Sequence, residues 1–218
     1  GIIQNIFDLS DADADQSFFL FLLSSPDELR FSVRDGVTSS AQVGTFTIDT
    51  WYHACCVEAA VDDHRVYLNG TAGTPNTSSR TPTGIDTINI GRRLNAGAPH
   101  RYFDGDLAEC RLWDVALTDE EITALASGVH PLRVRPDHSM PYWPIRGLDS
   151  PEPDVSEAGY PLTVTGATQS DHPPVGLFTP PWVAASLPIV VAPTGGLLVH
   201  PGMDGRLNIP RMTGGING

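Results

Sequence analysis

Apolar and polar positions alternate along Leu29-Arg30-Phe31-Ser32-Val33-Arg34, the period of two that a strand with one buried face requires. Short β-branched or aromatic runs recur at 2–7, 17–23, 44–49, 51–59, 65–68, 87–90 and 106–113, each bounded by turn residues. Val66-Tyr67-Leu68 runs into Asn69-Gly70, a pair suited to the positive φ angles of a type I′ hairpin turn. So many short strands at this spacing predict a two-sheet sandwich. A helical period appears once. Thr118-Asp119-Glu120-Glu121 reads as a capping box, with Ile122, Leu125 and Ala126 as an apolar stripe behind it and Gly128 as the stop. One short helix over about 118–127 is predicted.

Beyond about residue 173 neither period persists. Pro173-Pro174, Pro180-Pro181, Pro188, Pro193, Gly195-Gly196 and Gly214-Gly215 punctuate the stretch. Its Trp182, Leu187, Ile189, Val191 and Leu198 are too apolar for a solvated linker. The chain therefore divides into a β body at 1–172 and an extended arm at 173–218. These five arm residues are the interface candidates, packing on their own domain or on a neighbouring subunit. Trp182, set between prolines, is the expected anchor.

Composition narrows the function classes. The 218 residues carry 26 acidic and 13 basic side chains, a net charge of −13, which argues against a nucleic-acid backbone as partner. The arm holds Asp204 against Arg206 and Arg211, so the negative charge belongs to the body. No apolar run reaches the roughly 18 residues of a membrane helix. The three cysteines, Cys55, Cys56 and Cys110, have no disulfide spacing and fit folding as reduced thiols in a cytoplasm. No signal peptide is visible, and the first residue is Gly1.

Several motifs point to one family. Thr50-Trp51-Tyr52-His53-Ala54 followed by Val66-Tyr67-Leu68-Asn69-Gly70 resembles the W-x-H-(V/A)-A … LYVNG core of laminin-G-like, concanavalin A-like domains. Ile88-Asn89-Ile90-Gly91 resembles the family's x-I-G strand, and Phe103-Asp104-Gly105-Asp106-Leu107-Ala108-Glu109 its F-x-G-x-I-D-E run. Ala116-Leu117-Thr118-Asp119-Glu120-Glu121-Ile122 is similar to A-L-S-x-E-E-I. The resemblance implies an all-β fold: a concanavalin A-like jelly-roll β-sandwich with one short α-helix and, in this chain, an extended C-terminal arm. Family members open with strands that precede the counterpart of 2–7. Here a similar run, Pro141-Tyr142-Trp143-Pro144-Ile145 with Asp154-Val155-Ser156 and Pro161-Leu162-Thr163-Val164-Thr165-Gly166-Ala167, follows the helix instead. Either residues 141–168 fill the missing strand positions or upstream sequence does.

The candidate chemistry is thin. Asp104, Asp106 and Glu109 resemble the acidic strand of retaining glycosidases on this fold, but the first acid is shortened. In addition, Glu109 falls on the opposite face unless a bulge intervenes. Asp11, Asp13 and Asp15 open like a calcium loop, yet Gln16 and Leu22 stand where an EF-hand needs Gly and Glu. They are the calcium candidates, and no other cofactor is expected. The histidines lack metal spacing, and His53 belongs to the sheet motif. Trp51, Trp113 and Trp143 read as core rather than as a sugar platform.

The expected function is therefore non-enzymatic. The first reading is a structural subunit on a particle surface, such as a phage capsid decoration or another virion protein. It would fold in the host cytoplasm and assemble through its arm with copies of itself or other coat proteins. The alternative is an extracellular carbohydrate-binding adhesion module with a glycan partner. A glycoside hydrolase comes third.

Overall fold

A computed structural model describes residues 1–171 except 12, 14, 139, 148, 149 and 157, together with residue 173 and the strand at 197–201. Strands β1 (Ile3–Ser10), β2 (Gln16–Ser24), β3 (Asp27–Asp35) and β4 (Thr38–Val43) form consecutive antiparallel pairs. Strands β5 (Tyr52–Ala60), β6 (Asp63–Leu68) and β7 (Thr71–Ala72) form a second meander. Strand β8 (Thr87–Ile90) returns to pair with β1. A small hairpin of β9 (Arg93–Asn95) and β10 (Ala98–His100) precedes β11 (Gly105–Ala108) and β12 (Cys110–Arg111). Helix α1 (Asp119–Ala126) and a single 3-10 turn follow, then β13 (Tyr142–Trp143) against β12, and finally β14 (Leu197–Pro201). The first sheet has the order β4-β3-β2-β1-β8 and the second β11-β14-β5-β6-β7.

The core lies between these sheets. From the first, Ile6, Phe7, Leu20, Leu22, Leu29, Phe31 and Val33 point inward and meet Ala54, Val66, Leu107, Cys110, Trp143 and Ile145. The apolar run along β2 hides its alternation because its outer face is also covered. Phe19 lies beside Asp8 in register, and the Arg93 guanidinium sits 3.8 Å above the Phe19 ring. Asp8 itself is fully buried and is met by the Ser10 hydroxyl at 2.8 Å. Burial raises its carboxyl above the usual range, although Ser10, Arg93 and Asn89 counteract this.

The helix forms as its sequence predicts. Glu121 N–H donates to the Thr118 hydroxyl at 3.3 Å, and Thr118 N–H donates to the Glu121 carboxylate at 2.9 Å. Gly128, at φ +106°, ends the helix. Ile122 and Leu125 bury against Cys55, Val57 and Tyr67 on the outer face of β5–β6, and the Tyr67 hydroxyl donates to Asp119 at 2.7 Å. The adjacent cysteines thus face two layers: Cys55 under the helix and Cys56 toward the inter-sheet core. The Asn69-Gly70 turn between β6 and β7 has both φ angles positive, at +50° and +78°, as a type I′ turn demands.

Two strand expectations need correction. Residues 44–49 form no strand; the fourth strand is Thr38–Val43. Gly44 and Asp49 take φ values of +39° and +58°, which bend the backbone away from the sheet, and Ile48 is 58% exposed. The expected strand at 106–113 breaks in two at Glu109, whose φ is +56°. Its first half pairs with β14 and its second with β13. Among the described residues, no helix is long and apolar enough to cross a membrane.

Candidate functional site

The edge strands β8 and β11 stand on the same side of the sandwich, and a cleft of about 810 Å³ opens between them. Leu107, Trp143 and Ile145 line its buried wall, and residues 159–167 close it from outside. Two tyrosines lie on its rim, Tyr102 at 63% and Tyr160 at 59% exposure. Both are held through their neighbours' backbones. Phe103 N–H donates to Gly91 O at 2.8 Å, and Gly91 N–H donates to Ile6 O at 2.8 Å, which pins the turn carrying Tyr102 to β1. Tyr160 accepts from the Trp143 indole N–H at 2.6 Å through its carbonyl, so the backbone that carries the rim ring is fastened to a fully buried core side chain. Polar groups alternate with the rings: the Arg92 Nε donates to Asn89 Oδ1 at 3.0 Å, and Asp104 lies beside them in the cleft.

The segment behind the cleft is a loop organised by two carboxylates. Glu152 accepts from Arg146 N–H at 2.7 Å and Gly147 N–H at 3.1 Å. A two-way backbone bridge ties Glu152 to Leu162. Asp154 accepts from the N–H groups of Tyr142, Ser156 and Tyr160 at 3.0, 2.9 and 3.0 Å, and from the Ser156 hydroxyl at 2.7 Å. Burial opposes its charge, but the donors from Tyr160, Ser156 and Tyr142 outweigh burial and hold its carboxyl below the ordinary 3.8. A depressed folded-state pKa stabilises at pH values above 3.8, and that contribution is lost as the pH falls below it. Asp154→Asn is therefore expected to lower unfolding free energy at pH 7 by about 1–2 kcal/mol. The gap to the parent chain should close as the pH falls below 3.8. Urea titrations at pH 7 and pH 3 measure both values, and an undiminished gap at pH 3 would contradict the assignment.

The sequence candidates scatter. Asp11, Asp13 and Asp15 occupy the turn between β1 and β2. Asp11 accepts from Gln16 N–H at 3.2 Å, and Asp15 pairs with Arg34 at 2.5 Å. Among the described residues, no group of three or more His, Cys, Asp or Glu gathers as a metal site. Of Asp104, Asp106 and Glu109, only Asp104 lines the cleft. Glu109 turns into the interior, is 1% exposed, and accepts a hydrogen bond from the Tyr142 hydroxyl. His53 is buried in β5, its N–H bonded to the Asn69 side chain at 2.8 Å. Trp143 is fully buried, and Trp113 is half-buried with its indole N–H on Val134 O at 2.9 Å. Burial pushes the Cys55 and Cys110 thiols up to about 12, which keeps them protonated at neutral pH. Trp182, Leu187, Ile189 and Val191 lie outside the described residues. Leu198 sits in β14, opposite His53 on one side and Ala108 on the other.

Sequence reasoning missed Tyr102 and Tyr160 as a pair. Tyr102 sits at the head of the F-x-G motif and could have been noticed there. Tyr160 joins it only because β13 brings the chain back to β12.

Comparison with known proteins agrees with the fold. A family model described as the concanavalin A-like lectin/glucanases superfamily matches residues 3–123. No curated protein matches the chain. Among solved structures, residues 221–444 of an S-layer domain-containing protein from Clostridium thermocellum align at 24% identity and a TM-score of 0.33. The alignment covers 58% of this chain and 64% of that one, so this chain spans less than two thirds of that domain. A TM-score this low adds no argument to the family match. That match spans more than half of the sequence, from β1 into α1, and the chain belongs to the concanavalin A-like lectin/glucanases superfamily.

Proposed function

We propose that this chain is a non-enzymatic, extracellular carbohydrate-binding domain that serves in adhesion. The observation that carries this reading is the cleft between β8 and β11, with Tyr102 and Tyr160 on its rim and Asn89, Arg92 and Asp104 within it. A sugar ring presents an apolar face for stacking and hydroxyls around its edge. Exposed aromatic rings beside fixed donors and acceptors fit both. The non-enzymatic part is supported by Glu109, which hydrolysis of the glycosidase kind would need in the cleft and which instead bonds Tyr142 inside the protein. The particle-surface subunit expected from sequence draws its support from the apolar arm, the displaced opening strands and the unpaired cysteines, and neither comparison ties the chain to a capsid.

Binding to a panel of immobilised polysaccharides, followed by calorimetry on any hit, tests the proposal. Tyr102→Ala and Tyr160→Ala are each expected to weaken binding about tenfold, equivalent to about 1.4 kcal/mol. Both side chains are exposed, so the thermal midpoint should hold. Binding that survives both substitutions, or no binding to any polysaccharide, would overturn it.

A further inference from the structure

Strand β14 occupies an unusual place for a segment so far along the chain. It lies inside the second sheet, with Leu197, Leu198 and Val199 opposite Ala54, His53 and Tyr52 of β5. On its other side Ala108, Leu107, Asp106 and Gly105 of β11 face Leu198 through Pro201. Both neighbours run antiparallel to it. Strands pair at about 4.8 Å, so β5 and β11 stand roughly 10 Å apart and cannot bond each other. Whatever occupies this slot joins the two halves of the sheet and satisfies both facing edges. Past Leu197, the slot continues as a cavity of about 270 Å³, lined by Cys55, Cys56, Val57, Cys110 and Leu112 together with Glu58 and Arg111.

The occupant reaches the slot from a distance. Residues 174–196 separate it from Pro173, the last described residue before it. Such a length can span up to about 75–80 Å. A domain of this size has a radius of gyration of only about 15 Å. The connection can therefore deliver the strand to its own domain or to an adjacent copy. The hydrogen bonds and the buried surface are the same either way. Only the concentration term differs, and a covalent connection of this length sets it at about the millimolar range.

We propose that Leu197–Pro201 is an exchangeable donor strand, and that a second copy of this chain supplies it to the β5–β11 slot when copies are crowded. Dilute chains fill their own slot. Crowded chains exchange strands, and because the contact is a swap of identical elements it closes into dimers or runs on as chains. The net charge of −13 opposes close approach, so exchange rises with salt.

Directly opposed residues have Cβ atoms about 5 Å apart, within reach of a disulfide. Two full-length variants, Ala108→Cys and Leu198→Cys, are mixed, oxidised and run on non-reducing gels, with the unmodified chain in parallel to account for its own three cysteines. At roughly 1 mM the mixture should give a crosslinked dimer at least ten times more abundant than at about 10 µM. A chain carrying both substitutions should crosslink within itself at the lower concentration. No dimer from the mixture at the higher concentration, a dimer fraction independent of concentration, or no crosslink in the double variant would each overturn the proposal. Native mass spectrometry of the unmodified chain over the same range gives a second readout that no substitution can disturb. A growing dimer population is expected, and a monomer throughout would count against exchange.

Discussion

Trp143→Ala is expected to cost about 3–5 kcal/mol of unfolding free energy, the range for deleting a large buried aromatic. The thermal midpoint should drop by roughly 10 °C. Trp143 is fully buried and packs in the inter-sheet core beside Ile145. Its indole N–H donates to Tyr160 O at 2.6 Å, and its backbone pairs with Cys110 in the β12–β13 ladder. Truncation removes the ring, opens a cavity that the two sheets cannot collapse to fill, and leaves the Tyr160 carbonyl without its donor. Trp143→Phe separates these effects, because it keeps a ring and loses the N–H; a loss of about 1–2 kcal/mol is expected. Chemical denaturation measures both. A cost under about 1 kcal/mol for the alanine variant would mean that the 142–145 segment does not complete the core. The alanine variant should also weaken glycan binding, because the same indole fastens the Tyr160 rim.

Gly73→Ala should be nearly as damaging, though no apolar surface is lost. A Cβ built at Gly73 would lie 2.2 Å from Gln42 O, 2.5 Å from Val43 Cβ and 2.8 Å from Gln42 C. Two of these three atoms are backbone, so no side-chain rotation relieves the clash. Here the chain leaving β7 crosses to the edge of the first sheet: Gly73 N–H donates to Val66 O at 2.9 Å, and Thr74 exchanges two backbone bonds with Gln42 at 2.8 and 3.1 Å. A methyl group must part that bridge, at a cost of about 3 kcal/mol by analogy with overpacked cores. Hydrogen exchange should show the Gln42 and Thr74 amides losing protection while β1 and β2 keep theirs. Retained protection at both amides would refute the assignment. Alanine at Gly84, where no atom lies within 4 Å but φ is +69°, isolates backbone strain and is the fitting control.

Much of the architecture was legible because it is local. The alternation along β3, the Asn69-Gly70 turn and the capping box at Thr118 are short-range sterics and hydrogen bonding, and each forms where the residues predict it. Strand β4 was missed because Ser39, Ser40 and Gln42 give it little apolar signal. Its inward residues, Ala41 and Val43, are small and buried at 0% and 8% exposure, and the hydrogen bonds to β3 hold it. Phe46 and Ile48 gave residues 44–49 a strand-like appearance, but among the described residues no partner strand receives them.

The site was less legible for the same physical reason. Sequence decided which side chains alternate, where the helix starts and which family the chain belongs to, since periodicity and motif spacing record backbone preferences. Only the tertiary structure decided where the chemistry went. One residue in the left-handed region, Glu109, breaks the expected strand in two, and its carboxylate is buried against the Tyr142 hydroxyl, away from the cleft. The return of the chain at β13 unites Tyr102 with Tyr160 across one cleft. The insertion of β14 between β5 and β11 turns an apolar patch of the arm into a sheet strand. These outcomes depend on contacts between segments far apart in sequence, whose pairing energy is set by which edges remain open once the rest has folded.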